Sequence, residues 1–191
     1  MPLSLPIDPE ATKLLHDSPL ALILAMMLDQ QIPMEKAFSS PYVLRQRLGH
    51  DLDAYELAAY DPDAFTEIFA RPPALHRFPK ANAKRAQELC QVLVDRYGGD
   101  ASRLWTEAKT GAELVRRVGE LPGFGKQKSQ IFVALLAKQF DVAPTGWREA
   151  TGVYGEDGSY RSVADITDES SLGKVREYKQ AMKAAAKETT G

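Results

Sequence analysis

Residues 120–130 read ELPGFGKQKSQ, and this stretch decides the fold. Gly123 and Gly125 lie one residue apart, behind Pro122 and ahead of a lysine-containing apolar stretch. Glycine accepts positive φ angles and lets another backbone or a ligand approach closely. We therefore predict a tight turn between two antiparallel helices, in which both glycines adopt conformations closed to larger residues and Phe124 points inward.

The start of the helix after this turn should form an anion site. The first N–H groups of a helix have no partner within it, and they lie at the positive end of the helix dipole. Backbone donors of this kind suit a phosphate, and Lys126 and Lys128 add positive charge beside them. Such a site would position a nucleic acid without reading its bases. The alternative is an ordinary helix–turn–helix connection in which glycines only make room.

The net charge of −2 hides an uneven distribution along the chain. Residues 1–70 hold 4 basic and 11 acidic side chains, whereas residues 71–138 hold 13 and 6. A basic segment that contains the turn is typical of a surface for a polyanion, although scattered solvated helix charges would give the same count.

Composition excludes several other classes of protein. Cys90 is the single cysteine, so a disulfide within the chain and a four-cysteine metal or iron–sulfur site are impossible. The N-terminal sequence is unlike a signal peptide, and the longest apolar run, 20–28, is too short to cross a bilayer. His16, His50 and His76 are dispersed, so we expect no metal site and no cofactor. These features predict a cytoplasmic protein without membrane contact.

Helix signals dominate the chain, and we predict an all-α fold. Ser18 with Pro19, Asp53, Asp61, Thr110 and Asp168 are the expected helix starts. We expect Pro33 and Pro41 to divide their region into short helices, and a long helix from Pro79 to Gly98. The glycine-rich stretch 153–161 is compatible with a small β-hairpin.

Three stretches together resemble the helix-hairpin-helix DNA glycosylases of base-excision repair, the superfamily of endonuclease III and 3-methyladenine glycosylase. They are PLALILAMMLDQQIPMEKA (19–37), FPKANAKRAQELCQVLVDRYGGD (78–100) and the turn. The resemblance covers about 18–144, in the family's order and spacing. It implies two helical lobes, 19–128 and 1–18 plus 129–191, that bind damaged duplex DNA close to the nucleoid. The DNA-binding residues would be those of the turn and the following helix start: Leu121, Gly123, Phe124, Gly125, Lys126, Gln127 and Lys128.

The resemblance also implies roles for single residues. Gln31, with Gln30 before it, matches the glutamine that fills the gap left by an extruded base. Bifunctional members carry a nucleophilic lysine two residues after the second glycine, and Gln127 holds that position here. We therefore expect hydrolysis of the N-glycosidic bond without strand nicking, so a separate abasic-site endonuclease would act downstream.

The family's catalytic aspartate has no counterpart. Its position falls at Thr145, or at Gly146 with a one-residue slip, and neither is acidic. Asp141, Glu149 and Asp29 are the nearby carboxylates, but none matches the motif. Three hypotheses therefore stay open: a monofunctional glycosylase, an inactive lesion-binding or structure-binding protein of the same fold, and a helical protein-interaction module that does not bind DNA.

Overall fold

The computed structural model describes residues 3–191, and within that range the chain is all-helical. It forms no strand there; one isolated backbone bridge joins Thr110 to Thr145. Two 3-10 helices, Gly152–Gly155 and Val163–Asp165, accompany the α-helices. The α-helices are α1 (Pro9–Asp17), α2 (Pro19–Leu28), α3 (Met34–Leu48), α4 (Ala54–Ala59), α5 (Pro62–Ala70), α6 (Pro79–Tyr97), α7 (Arg103–Thr106), α8 (Gly111–Gly119), α9 (Lys126–Gln139), α10 (Trp147–Thr151) and α11 (Glu169–Thr189).

The expected helix starts are confirmed by side-chain caps. Each of these caps accepts a hydrogen bond from a backbone N–H in the first turn, which satisfies a donor that the helix itself leaves free. The capping residues are Ser18, Asp53, Asp61, Thr110 and Asp168. The long helix after Pro79 is confirmed as α6, which ends at Gly98 in the left-handed conformation.

The expected break at Pro41 is wrong, because this proline lies inside α3. Its ring is buried, and the hydroxyl of Ser40 donates to the carbonyls of Lys36 and Leu75 at 2.7 and 2.9 Å. Proline removes one helix hydrogen bond, so packing against the Leu75 segment holds the helix together here.

The centre of the core is α2, whose residues Leu20–Leu28 are all buried. It packs against α1, α3 and α6. A helix enclosed on every side cannot shift without opening the core, so the residues that follow it, 29–31, leave the protein interior from a fixed point.

The β-hairpin expected in 153–161 is wrong. Gly155 ends a 3-10 helix and packs so tightly on α10 that a Cβ there would lie 2.8 Å from the carbonyl oxygen of Arg148. The Arg148 guanidinium donates to the Gly155 carbonyl at 2.8 Å. Asp165 accepts from Lys138 at 2.6 Å and from the N–H of Arg161 at 3.0 Å. Side chains thus fold this segment onto α9 and α10 and satisfy groups that a strand partner would otherwise satisfy.

Among the described residues, no single helix combines the length and apolarity needed to cross a membrane. The pair α1 and α2 meets that test only when joined, across a bend of 114°. The division into two lobes at 128 stays a prediction.

Candidate nucleic-acid interface

The turn 121–125 joins α8 to α9 and is anchored from its inner side. Leu121 and Phe124 are buried, and the Phe124 ring meets Phe132 edge-on with centroids 5.9 Å apart. The N–H of Leu121 donates to Val118, and that of Phe124 donates to Leu121. The prediction that Phe124 points inward is confirmed, and the outer side of the turn is left facing solvent.

Five backbone N–H groups in the turn and in the first turn of α9 are unpaired. Within 3–191, nothing accepts a hydrogen bond from the amides of Gly123, Gly125 or the first three residues of α9, 126–128. The first intrahelical donor is Ser129, which bonds to the Gly125 carbonyl at 3.0 Å. Residues 125–127 are exposed, whereas Gly123 and Lys128 are half-buried, so an anion can approach the site from the side of residues 125–127.

The two glycines serve different purposes. Gly123 has φ +85°, and a Cβ there would lie 2.7 Å from Cδ of Arg85 and 2.9 Å from Cγ of Met27. Gly125 has φ −89° and ψ −175°, which any residue adopts, and a Cβ there would meet nothing within 4 Å. The expectation that both glycines need conformations closed to larger residues is therefore wrong for Gly125. Its bare backbone faces open space, where only an incoming molecule would touch it.

The two lysines beside the glycines also differ. Lys126 is exposed and forms no ion pair with any described residue. Lys128 donates from Nζ to the carbonyl of Met27 at 3.1 Å and lies 6.0 Å from the Phe124 ring centroid. Burial lowers the pKa of Lys128 to about 8, although nearby Asp29 opposes the change. Lys126 is the cation at the rim, whereas Lys128 ties the turn to the end of α2.

Gln127 contacts the 3-10 helix that follows α10. Its Nε2 donates to the hydroxyl of Tyr154 at 2.8 Å. The position at which the resemblance would place a nucleophilic lysine thus holds an amide that contacts the 3-10 helix Gly152–Gly155.

Gln30 and Gln31 form an exposed bend directly after α2. Gln31 has φ +60°, a left-handed conformation that is uncommon for a residue other than glycine. Such strain persists where the surroundings enforce it, and it concentrates at functional sites. The Gln31 side chain is exposed at this point.

His76 holds the bend in place. Its Nε2 donates to the Gln30 carbonyl at 2.9 Å. Its Nδ1 accepts from the N–H of Phe78 at 3.0 Å and from Nδ2 of Asn82 at 2.9 Å, which fixes a neutral tautomer. Burial lowers the pKa of His76 and favours the same neutral form. Sequence reasoning missed this role because the partners Gln30 and His76 are 46 residues apart.

Other residues that sequence reasoning missed border the same region. Arg85 of α6 packs against Gly123, and Lys179 of α11 acts electrostatically on Lys128. Phe78 was not missed, since the sequence already offers its ring as one that could stack on an extruded base. It is 45 % exposed, with the Arg77 guanidinium 5.3 Å above its ring, and the stacking role stays a prediction.

Thr145 occupies the expected aspartate position without supplying an acid. Its carbonyl accepts from the N–H of Gly111 at 2.8 Å, and its side chain is exposed. Asp141, with φ +57°, and Glu149 of α10 are exposed as well. Asp29 is the candidate that the fold brings together with the turn, since it lies between α2 and Gln30 and next to Lys128.

Comparison with known proteins adds no assignment: no family model, no curated protein and no solved structure matches this chain.

Proposed function

We propose that this protein binds duplex DNA through the turn 121–125 and acts in base-excision repair as a monofunctional DNA glycosylase. The observation that carries the proposal is the group of five unpaired amides in the turn and at the start of α9. A DNA strand offers phosphate oxygens at regular intervals, and backbone N–H groups at a helix start bind such oxygens whatever the base sequence.

The second support is the bend at Gln31, which follows the end of α2. Lys128, at the start of α9, contacts this end of α2. Because Lys128 bonds to Met27, the turn and the bend are fixed relative to each other. If the amides hold a phosphate, Gln31 projects from a rigid neighbour and is available to fill the space of an extruded base. An amide side chain can replace hydrogen bonds that the opposite base loses.

A second candidate function is binding without chemistry. It is favoured by Thr145, which stands where the resemblance calls for the aspartate. A protein of this kind would recognise a lesion or a distorted duplex through the same surface and release no base.

One set of assays separates these functions. Duplexes that each carry one alkylated, deaminated or oxidised base are incubated with the protein, and free base and alkali-labile abasic sites are measured. The glycosylase predicts release from at least one lesion. Binding without any release would select the second function.

DNA binding itself is tested by its salt dependence. Each phosphate contact contributes a slope of about −0.9 to the plot of log affinity against log salt concentration. We expect a slope of roughly −2 or steeper for undamaged duplex. The slope for Lys126→Ala should be less steep, because one cation near the phosphate is gone. A duplex affinity that is absent or independent of salt would contradict the proposal.

A further inference from the structure

The second half of α11 is exposed on all sides. The start of the helix is anchored, because Asp168 caps it and because Leu172 and Val175 are buried. From residue 180 to residue 191 every residue is exposed, including Met182 at 53 %. We call residues 180–189 the free half of α11. It is rich in alanine, a strong helix former, which accounts for the helix without packing against the core.

The charges of this part of the helix are divided between two sides. At 100° per residue, three lysines fall within a sector of about 80°. They are Lys179, Lys183 and Lys187, which we call the lysine row. The acidic residues Glu177 and Glu188 lie about 120–140° from the middle of that sector. One side of α11 is therefore positively charged along its length and carries no acid.

The lysine row differs from the surface cations of the other helices. Those cations have an acidic partner four residues away: Lys13 with Asp17, Lys84 with Glu88, Arg103 with Glu107, Arg116 with Glu120 and Arg117 with Glu113. Among residues 3–191, no group forms an ion pair or a hydrogen bond with a side chain of the lysine row. Like charges four residues apart destabilise a helix slightly, so helix stability does not explain the row. A polyanion that is not part of the chain does explain it.

A contact with α3 places α11 beside the bend at Gln31. Arg176 forms an ion pair with Glu35, which lies in the first turn of α3. Glu35 follows Gln31 by four residues, or at most about 14 Å of chain. Burial lowers the pKa of Lys128 to about 8, and the charge of Lys179 acts in the same direction. The lysine row thus begins at the edge of the candidate interface and continues along the free half of α11.

Resting on the proposed function, we propose that the free half of α11 is a second DNA-binding element, which lies along the phosphate backbone of the duplex beyond the turn. The lysine row spans about 12 Å of helix axis. A DNA strand carries one phosphate per about 3.4 Å of duplex axis, so about three phosphates lie along the row. Lysine ammonium groups contact phosphates as point charges and read no base. The element enlarges the DNA footprint without adding sequence preference.

The charge of the row is removed in the double variant Lys183→Gln/Lys187→Gln. Both positions are exposed, and glutamine is nearly as good a helix former as lysine, so the fold is retained. Lys183→Arg/Lys187→Arg keeps the charge. The matched control is Lys13→Gln/Arg103→Gln, which removes two cations that already have an acidic partner.

Affinity for undamaged duplex is measured over a range of salt concentrations for each protein. Each lost phosphate contact removes about 0.9 from the slope of log affinity against log salt, so the slope of the glutamine variant should be shallower by roughly 1–2. Its affinity near 0.1 M salt should fall by roughly tenfold or more. The arginine variant and the matched control should keep the wild-type slope. Urea unfolding should be unchanged in the glutamine variant, which separates DNA contact from a structural role.

Cross-linking tests which side of α11 meets the DNA. Cys90 is buried, so a cysteine introduced on the free half provides the reactive thiol for a short photo-cross-linker. Ala186→Cys lies on the side of the lysine row, and Ala184→Cys is turned by about 160° from it. We expect several-fold more cross-linked duplex through Ala186→Cys. Equal cross-linking through the two positions would contradict contact along the lysine row.

The outcomes separate this inference from the proposed function. Unchanged affinity and salt slope in Lys183→Gln/Lys187→Gln, with duplex binding that is lost in Gly125→Ala, would overturn the role of α11 and leave the turn in place. A weakened glutamine variant beside an unimpaired Gly125→Ala would support α11 and contradict the role of the turn. Wild-type protein that binds no duplex would overturn both. Lysine-dependent binding to vesicles of anionic phospholipid in that case would identify a membrane surface as the occupant instead.

Discussion

Lys128 donates a hydrogen bond from Nζ to the carbonyl oxygen of Met27 at 3.1 Å, and this contact joins two parts of the chain that are 101 residues apart. Met27 lies in the last turn of the buried helix α2, and Lys128 lies in the first turn of α9. The bond therefore fixes the free amides of the turn relative to the bend at Gln31.

The two glycines of the turn should respond differently to alanine. Gly123→Ala should lower the free energy of unfolding by about 1–3 kcal/mol, because it combines a positive φ angle with overlap against Met27 and Arg85. Gly125→Ala should change stability by less than about 1 kcal/mol, since it replaces an uncapped helix start in open space. Urea unfolding curves measure both.

Gly125→Ala should nevertheless weaken duplex binding about equally for all sequences, because a methyl group would stand where the phosphate approaches. Gly173→Ala, at another glycine whose Cβ meets nothing within 4 Å, is the matched control and should leave affinity unchanged. Unaltered affinity in folded Gly125→Ala protein would argue that DNA does not approach this side of the turn.

Gln31→Ala should reduce base release more than it reduces binding to undamaged duplex. The side chain is exposed and makes no contribution to the core, so its loss should matter only when a base leaves the stack. Single-turnover release and duplex affinity are measured in parallel, with Gln30→Ala as the neighbouring control. Equal effects of both substitutions on release would show that Gln31 has no special part in filling the gap.

Borohydride should trap no covalent complex between this protein and abasic DNA. Gln127 cannot form a Schiff base, and Lys128, although its pKa is lowered to about 8, is held by the Met27 carbonyl under the Phe124 ring. A trapped complex that disappears in Lys128→Arg would contradict this expectation and identify Lys128 as a nucleophile.

Acidification should destabilise the protein partly through His76. Burial lowers its pKa in the folded state below the ordinary 6.5, so the unfolded chain takes up this proton first as the pH falls. The stability due to neutral His76 is complete above pH 6.5 and is lost as the pH falls towards the folded pKa. In His76→Phe, unfolding free energy at neutral pH should fall by about 1–3 kcal/mol, because the partners at Gln30, Phe78 and Asn82 lose their hydrogen bonds.

The loss between pH 7 and 5 should be smaller in His76→Phe than in the wild type, as followed by urea unfolding at each pH. His50→Phe is the control, because His50 is exposed. An unchanged pH slope in His76→Phe would show that His76 does not titrate in this range. His16, whose pKa is also lowered by burial, contributes a background slope to all three proteins.

Local signals in the sequence predicted most helix boundaries, because a cap or a glycine acts within a few residues. Ser18, Asp53 and Thr110 each bond to an amide three residues away, and no distant partner is needed. The predictions of a helix break at Pro41 and of a β-hairpin in 153–161 were wrong for the opposite reason. The proline is buried beside the bond from Ser40 to Leu75, and Asp165 is bonded to Lys138, so both depend on residues that are distant in sequence.

The candidate site likewise contains features that the sequence predicted and features that it did not. The amides of the turn were predictable, since two glycines before a helix imply them. Lys128 was expected at the rim with Lys126, yet it turns towards Met27, because the carbonyls at the end of α2 lack helix partners and attract a donor. The environment of Asp29 could not be predicted, because it is formed by α3, α9 and α11 together.

The most direct test is an amide NMR titration of the folded protein with a short undamaged duplex. We predict that the N–H signals of Gly123, Gly125, Lys126, Gln127 and Lys128 shift together and become protected from hydrogen exchange, while those of Gly173 and its neighbours do not. Duplex binding that leaves these five amides unperturbed, or no binding at low salt, would contradict the claim that this turn holds a DNA strand.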